Sequence, residues 1–106
     1  MALGAAKGVF NALDHMLYKA LIACLKSEDY QAASIAIEQL EKEKKDISIP
    51  PLYFVAQAHP NERVRARAKQ ALATFKKEKE IEALTRDKDL KESVKAMIEH
   101  FGNYRQ

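Results

Sequence analysis

The chain has 106 residues, of which 47% are hydrophobic and 31% are charged, so it suits one compact domain with a modest core. Its single cysteine excludes an internal disulfide and a cysteine-rich metal site. The net charge is +3, with six Lys/Arg against seven Asp/Glu in residues 1–58 and twelve against eight in residues 59–106, which permits an anionic partner for the second half.

The composition predicts helices and no membrane span. Only three glycines and three prolines occur in a chain rich in Lys, Glu, Ala, Leu and Gln, the residues that lose least on entering a helix. Spanning a bilayer takes about 20 nearly uncharged residues, and no such stretch is present. The apolar N-terminal residues are interrupted by Lys7, Asp14 and Lys19, unlike those of a signal peptide. We therefore expect an all-α, cytoplasmic (intracellular) protein.

The first predicted helix opens near Asn11 and Asp14 and carries more apolar residues than one buried stripe needs. Cys24 lies among leucines and isoleucine there and is interpreted as a buried thiol. Either this helix is buried at the centre of the fold or its apolar stripe forms an interface with another chain, since exposed stripes of this kind commonly bind partners. The candidate protein-binding residues, which also permit a homo-oligomer, are Phe10, Leu13, Leu17 and Leu21.

The next three helices follow from caps, prolines and apolar spacing. A turn at residues 27–29 caps a helix with Tyr30, Ala33, Ile37 and Leu40 on one face, and the charged run 41–46 is expected to be a frayed end or a loop. Prolines in a first helical turn predict a new helix near Pro50 or Pro51. The turn at residues 59–61 ends it and starts a helix with the apolar residues Val64, Ala68, Leu72 and Phe75.

The C-terminal part of the pattern is less regular. The apolar spacing is lost from Lys76 to Glu80, yet no glycine or proline forces a break, so the preceding helix is able to run on to Leu84. The alternative is a short helix there, followed by a cap at Asp87 or Asp89 and a final helix over Leu90–Phe101. Gly102 stands where a left-handed helix stop favours glycine.

The second helix of each predicted pair repeats one apolar rhythm. The apolar pattern of Ala33, Ile37 and Leu40 is repeated 35 residues later by Ala68, Leu72 and Phe75. It is repeated again after another 26 residues by Val94, Ile98 and Phe101. Three copies after three turns indicate tandem helical hairpins. We expect one domain over residues 1–106, with repeat units at about 11–45, 48–77 and 80–102.

The middle unit resembles the HEAT-repeat family. The features that carry the resemblance are a proline and leucine in the first helix, a polar turn, and Val-Arg, Ala and Ala-Leu in the second helix, here Pro50-Pro51-Leu52, His59-Pro60-Asn61, Val64-Arg65, Ala68 and Ala71-Leu72. The resemblance is good over residues 48–76, weaker over 13–41 and poor over 80–102. It implies a short α-solenoid of about three hairpins.

The match departs from the family pattern at one place. His59 stands where the family usually has an acidic residue near the turn. The resemblance implies a structural role for Arg65, holding neighbouring repeats together, and the missing acid leaves open how Arg65 does so. A tetratricopeptide-like array, suggested by residues 29–33, and a plain helical bundle are the alternative architectures.

Catalytic and cofactor motifs are absent from the sequence. There is no glycine-rich phosphate loop, serine elbow or zinc-binding histidine pair, and His15, His59 and His100 are far apart. The carboxylates alternate with lysines on predicted exposed faces. We therefore expect no catalytic, cofactor-binding or metal-binding residues, and a protein that is not an enzyme.

Two binding functions remain. The favoured one is a protein-interaction module, scaffold or adaptor, because repeat scaffolds present extended binding surfaces. The alternative is binding of nucleic acid or phosphate through the basic face of residues 63–79, because arginine and lysine pair well with phosphate. Interspersed glutamates and the lack of aromatic residues disfavour that alternative, whose candidate residues are Arg63, Arg67, Lys69 and Lys76.

Overall fold

The computed structural model describes residues 23, 25 and 27–102. The five α-helices of the continuous part are α1 (Tyr30–Glu43), α2 (Ile49–Ala58), α3 (Glu62–Ala73), α4 (Glu78–Thr85) and α5 (Leu90–Phe101). A short 3-10 helix over Asp46–Ser48 leads into α2, and Ala23 and Leu25 are also helical. No strand occurs in these residues, and the predicted all-α class is confirmed.

Short polar side chains begin the helices at the predicted turns. Asp29 caps α1 by accepting a hydrogen bond from the backbone N–H two residues on, at 3.3 Å, and Asn61 caps α3 in the same way at 2.8 Å. α5 begins with a capping box in which Asp89 accepts from the N–H of Glu92 at 2.8 Å while the Glu92 carboxylate accepts from the N–H of Asp89. Of the two predicted caps for α5, Asp89 is therefore the one used.

Two helices end where lysine adopts a left-handed backbone. α1 continues three residues into the charged run and stops where Lys44 has a φ of 54°. α3 stops at Ala73, and Lys76 has a φ of 59° in the turn that follows. Because residues 74–76 form a turn and the next helix begins at Glu78, the chain does not continue as one helix to Leu84. Phe75 lies in that turn and is still buried. Left-handed backbone is uncommon outside glycine, which is why the sequence carries no clear signal for this break.

α2 lies between α3 and α5. α3 packs against both α1 and α2, whereas α5 has its main contacts with α2 and α4. The second helices of the first two pairs therefore stack on each other, and the second helix of the third pair lies against the first helix of the pair before it. α4 has no fully buried residue and sits at the edge of this arrangement.

One core unites the described helices. In the comparison at 35 residues, Ala33, Ile37 and Leu40 are all buried, whereas of their counterparts Ala68 and Phe75 are buried and Leu72 is half-buried. In the comparison at 26 residues, Phe101 is buried but Val94 and Ile98 are half-buried, and their neighbours Ser93 and Met97 take the innermost positions. The boundaries of the three repeat units therefore stay a prediction. The full core cluster comprises Leu25, Ala33, Ala36, Ile37, Leu40, Ile49, Leu52, Val55, Ala56, Val64, Ala68, Ala71, Phe75, Met97 and Phe101.

Candidate functional site

The apolar stripe predicted to bind a partner falls outside the described residues, and so does the thiol of Cys24. The stripe consists of Phe10, Leu13, Leu17 and Leu21. Four residues after the last of them, Leu25 is fully buried in the common core. The interface through the first helix therefore stays a prediction.

The basic residues predicted on α3 point in different directions. Arg67 contacts α1, where its Nη2 lies 2.7 Å from Glu41 Oε1. The guanidinium of Arg63 also contacts α1, 4.0 Å from the centre of the Tyr30 ring. Lys69 instead borders the space between α2, α3 and α4, and Lys76 is exposed in the turn beyond α3. Their role in binding nucleic acid stays a prediction.

The ion pair between Arg67 and Glu41 joins α3 to α1. Both side chains are about one-fifth exposed, at 22% and 23%, so solvent screens the pair only in part. Replacing Arg67 or Glu41 singly with glutamine is expected to lower the free energy of unfolding by about 1–2 kcal/mol, because a charge-assisted hydrogen bond is lost at a partly buried site. Chemical denaturation followed by circular dichroism measures the change.

The control for this prediction is a double-mutant cycle. If the two side chains interact as described, the double variant Arg67→Gln/Glu41→Gln loses less stability than the two single variants together, with a coupling of about 1 kcal/mol. Additive losses would contradict a direct interaction between Arg67 and Glu41.

His59 connects two turns that lie far apart in the chain. Its side chain is 4% exposed, and its Nε2 lies 2.7 Å from the carbonyl oxygen of Ser27, 32 residues earlier. The backbone N–H of Asn61 donates to Nδ1 at 2.9 Å. Because Nδ1 accepts, the proton resides on Nε2, and His59 donates to Ser27. The histidine thus ties the turn before α1 to the turn between α2 and α3.

Arg65 completes the same turn. Its Nη1 donates to the carbonyl oxygen of His59 at 2.6 Å. The contact lies within one predicted hairpin, so the implied role of Arg65 in holding neighbouring repeats together stays a prediction. The contact also shows what serves in place of the missing acidic side chain, because Arg65 binds the backbone of the turn while the imidazole makes the link to α1.

An open apolar groove lies between three helices, and we call it the α2–α3–α4 groove. Its volume is about 370 Å³. α2, α3 and α4 each contribute residues spaced three and four apart, which is the spacing that places side chains on one helix face. The lining residues are Tyr53, Ala56, Gln57, Lys69, Leu72, Ala73, Glu78, Ile81, Glu82 and Thr85.

The composition of the groove changes from its floor to its rim. Small and apolar side chains, among them Ala56, Leu72 and Ile81, form the floor, while exposed charged residues border it. Sequence reasoning missed this site because the groove depends on the break after α3, which separates the lining residues of α4 from those of α3. A second apolar hollow, of about 400 Å³, lies between α2 and α5 and is lined by Phe54, Leu90, Lys91 and Val94.

Glu80 and His100 form a bridge between α4 and α5. His100 Nε2 lies 3.0 Å from Glu80 Oε2, and Lys77 Nζ lies 3.6 Å from the other carboxylate oxygen. The hydrogen bond with His100, helped by the positive charge of Lys77, lowers the pKa of Glu80 below the ordinary value for glutamate. This contribution to stability is present above the pKa of an unfolded glutamate and disappears as the pH falls through the lowered pKa.

This shift gives a prediction for titration. In an NMR titration of the side-chain carboxyl carbon, Glu80 is expected to show a midpoint below the ordinary value for glutamate. Replacing His100 with phenylalanine removes the hydrogen bond and is expected to move the Glu80 midpoint upward. A Glu80 midpoint that does not change in the His100→Phe variant would contradict the bridge.

The described residues lack a metal-binding cluster and hold few unpaired buried polar groups. They include no cluster of three or more histidine, cysteine or acidic side chains able to hold a metal ion. The Ser48 hydroxyl is fully buried and has no hydrogen-bond partner within this part of the chain. Over the same residues, no helix has both the length and the apolar character needed to cross a membrane.

Comparisons with known proteins identify the family. Neither the curated proteins nor the solved structures contain a match to this chain. The family model for HEAT repeats matches residues 18–100, which is most of the chain and extends beyond the unit over 48–76 that carried the resemblance. Members of this family generally mediate protein interactions and are typically not catalytic. The chain belongs to the HEAT-repeat family.

Proposed function

We propose that this chain is a non-enzymatic module that binds another protein. The observation that carries the proposal is the α2–α3–α4 groove, an apolar trough with a charged rim on the surface of a HEAT-repeat fold. Recognition surfaces between proteins commonly combine an apolar centre with a polar border. The groove has this composition, and its openness suits the side chains of a second protein better than a small molecule that must be enclosed.

The contacts of the basic residues favour this function over nucleic-acid binding. Arg67 and Arg65 are held by Glu41 and by the carbonyl oxygen of His59, and Arg63 lies over Tyr30. A phosphate would have to compete with those contacts. Of the four basic residues proposed for nucleic acid, Arg63 and Arg67 contact α1, whereas Lys69 lines the groove and Lys76 lies in the turn beyond α3. That is a poor arrangement for following one phosphate backbone.

A second contact surface belongs to the same proposal. The stripe formed by Phe10, Leu13, Leu17 and Leu21 would bind a partner or a second copy of the chain. Light scattering coupled to size-exclusion chromatography tests this part at low and high salt. A dimer that persists at high salt and is lost when Phe10 and Leu17 become polar, with helicity retained, supports an apolar interface. Unfolding of that variant would place these residues in the core and remove the stripe from the proposal.

The test of the main proposal compares protein and nucleic acid directly. The immobilised chain captures proteins from a nuclease-treated cell extract, and each candidate is then purified and measured by isothermal titration calorimetry. The expected result is at least one purified protein that binds with defined stoichiometry. Ala73→Glu, a change at an exposed position in the groove, should weaken that binding, while Ala66→Glu, an exposed change elsewhere on α3, should not.

The alternative is measured with the same preparation. Fluorescence anisotropy with duplex and single-stranded oligonucleotides at low and high salt detects phosphate-driven binding, which weakens steeply as salt rises. Salt-sensitive binding that is lost in the variant Lys69→Ser/Lys76→Ser, combined with no purified protein partner, would overturn the proposed function.

A further inference from the structure

The walls of the α2–α3–α4 groove define the shape of what fits there. Each of the three walls is the face of a helix, and the described residues contain no strand whose edge could pair with an extended peptide. A groove between helices takes the apolar face of another helix, whose side chains recur at the same three- and four-residue spacing. The groove geometry therefore favours a helical occupant.

The floor of the groove requires apolar side chains on that occupant. Ala56, Leu72 and Ile81 form this floor, and the half-buried Tyr53 and the exposed Ala73 also line the groove. Filling this space with leucine- or phenylalanine-sized side chains would remove apolar surface from water on both molecules. A polar helix face would leave the apolar surface of the groove in contact with water and would not stabilise the complex there.

The two long sides of the rim carry opposite charges. On the α4 side, Glu78 and Glu82 are exposed and stand one helical turn apart. On the α3 side the charged lining residue is Lys69, which is also exposed. Glu82 lies 3.7 Å from Arg86, but both side chains are about 70% exposed, so this pair contributes little and can be exchanged for another.

We propose that the α2–α3–α4 groove binds an amphipathic helix of the partner protein, with lysine or arginine on the flank that faces Glu78 and Glu82 and an acidic residue on the flank that faces Lys69. This inference rests on the proposed function and names the chemistry of the partner. The opposite charges of the two rims also fix the direction of the helix, because reversing it would set like charges against each other.

The experiment uses a display library of helical peptides on the intact chain. Every peptide carries leucine at the positions i, i+3, i+4 and i+7, and the two flanking rows are varied among lysine, glutamate and serine. Peptides with lysine on one flank and glutamate on the other are expected to be enriched at least tenfold over peptides of the same composition with the charges scrambled. Calorimetry on the enriched peptides then gives their affinity.

Charge reversal supplies the decisive control. The variant Glu78→Lys/Glu82→Lys is expected to select glutamate where the unaltered chain selects lysine. The variant Glu38→Lys/Glu99→Lys has the same change in net charge at exposed positions outside the groove, and it should select the same peptides as the unaltered chain. Identical selection by both variants, or no charge preference at all, would overturn the inference.

The two proposals fail in different ways. If a purified protein binds the chain but Ala73→Glu and the charge-reversed variant leave its affinity unchanged, the groove is not the site and only this inference falls. If no purified protein binds and the display selects nothing above the scrambled peptides, both proposals fall.

Discussion

Replacing His59 with alanine is expected to lower the free energy of unfolding by about 2–3 kcal/mol. The change removes the imidazole nitrogens that bond two backbone groups at a buried position. The carbonyl of Ser27 loses its donor and the N–H of Asn61 loses its acceptor. The link between the turn before α1 and the turn before α3 is lost with them. Urea denaturation followed by circular dichroism measures the change in stability.

Two further substitutions separate the contributions of the imidazole. His59→Asp supplies an acceptor that can bond the N–H two residues on, as Asp29 does before α1, but it offers no donor to Ser27. It should therefore recover only part of the stability that alanine loses. Asn61→Ala removes the cap of α3 without touching the link and should cost about 1 kcal/mol. A His59→Ala variant no less stable than Asn61→Ala would contradict the long-range role of the histidine.

The local features of the fold were predictable because they depend on neighbours in the chain. The caps at Asp29, Asn61 and Asp89 and the helix start at the two prolines follow from backbone groups that lack partners in the first helical turn. The buried stripes on α1 and α3 follow from helical spacing. These rules refer only to residues a few positions apart, so a single sequence is enough to apply them.

The contacts that join the repeats were not predictable in the same way. His59 meets Ser27 across 32 residues, and Arg67 meets Glu41 across 26. Nothing near these residues in the chain indicates their partners, because the pairing depends on how α1 and α3 stack. The family resemblance assigned a structural role to Arg65, but it gave no indication that an imidazole makes the link between the turns.

The candidate site depends on the least predictable turn of the chain. Without glycine or proline, residues 74–77 end one helix and separate it from the next through the left-handed Lys76. That break allows α4 to pack against α5 and to line the groove together with α2 and α3. The sequence alone left a continuous helix equally open, and in a continuous helix Glu78 and Glu82 would not border the residues of α2.

The packing of α5 against the common core leads to the second prediction with a large expected effect on stability. Met97 is fully buried and belongs to the same core cluster as the residues of α1 to α3, although the family resemblance is poorest in this part of the chain. Met97→Ala is expected to lower the free energy of unfolding by about 2–5 kcal/mol, since a large side chain is removed from a closed core. Lys95→Ala, at an exposed position on the same helix, should change it by no more than about 0.5 kcal/mol.

The manner of unfolding decides whether α5 is a full part of the domain. If the core is shared, Met97→Ala shifts one cooperative transition, and amide hydrogen exchange accelerates in α1 and α3 as well as in α5, because neighbouring repeats are stabilised by their mutual interfaces. Accelerated exchange confined to α4 and α5, with α1 to α3 protected as before, would instead show that the last helix pair folds as a separate unit. In that case the α2–α3–α4 groove would open whenever that unit does, and Met97→Ala would weaken peptide binding in proportion to the fraction of chains in which the unit is unfolded.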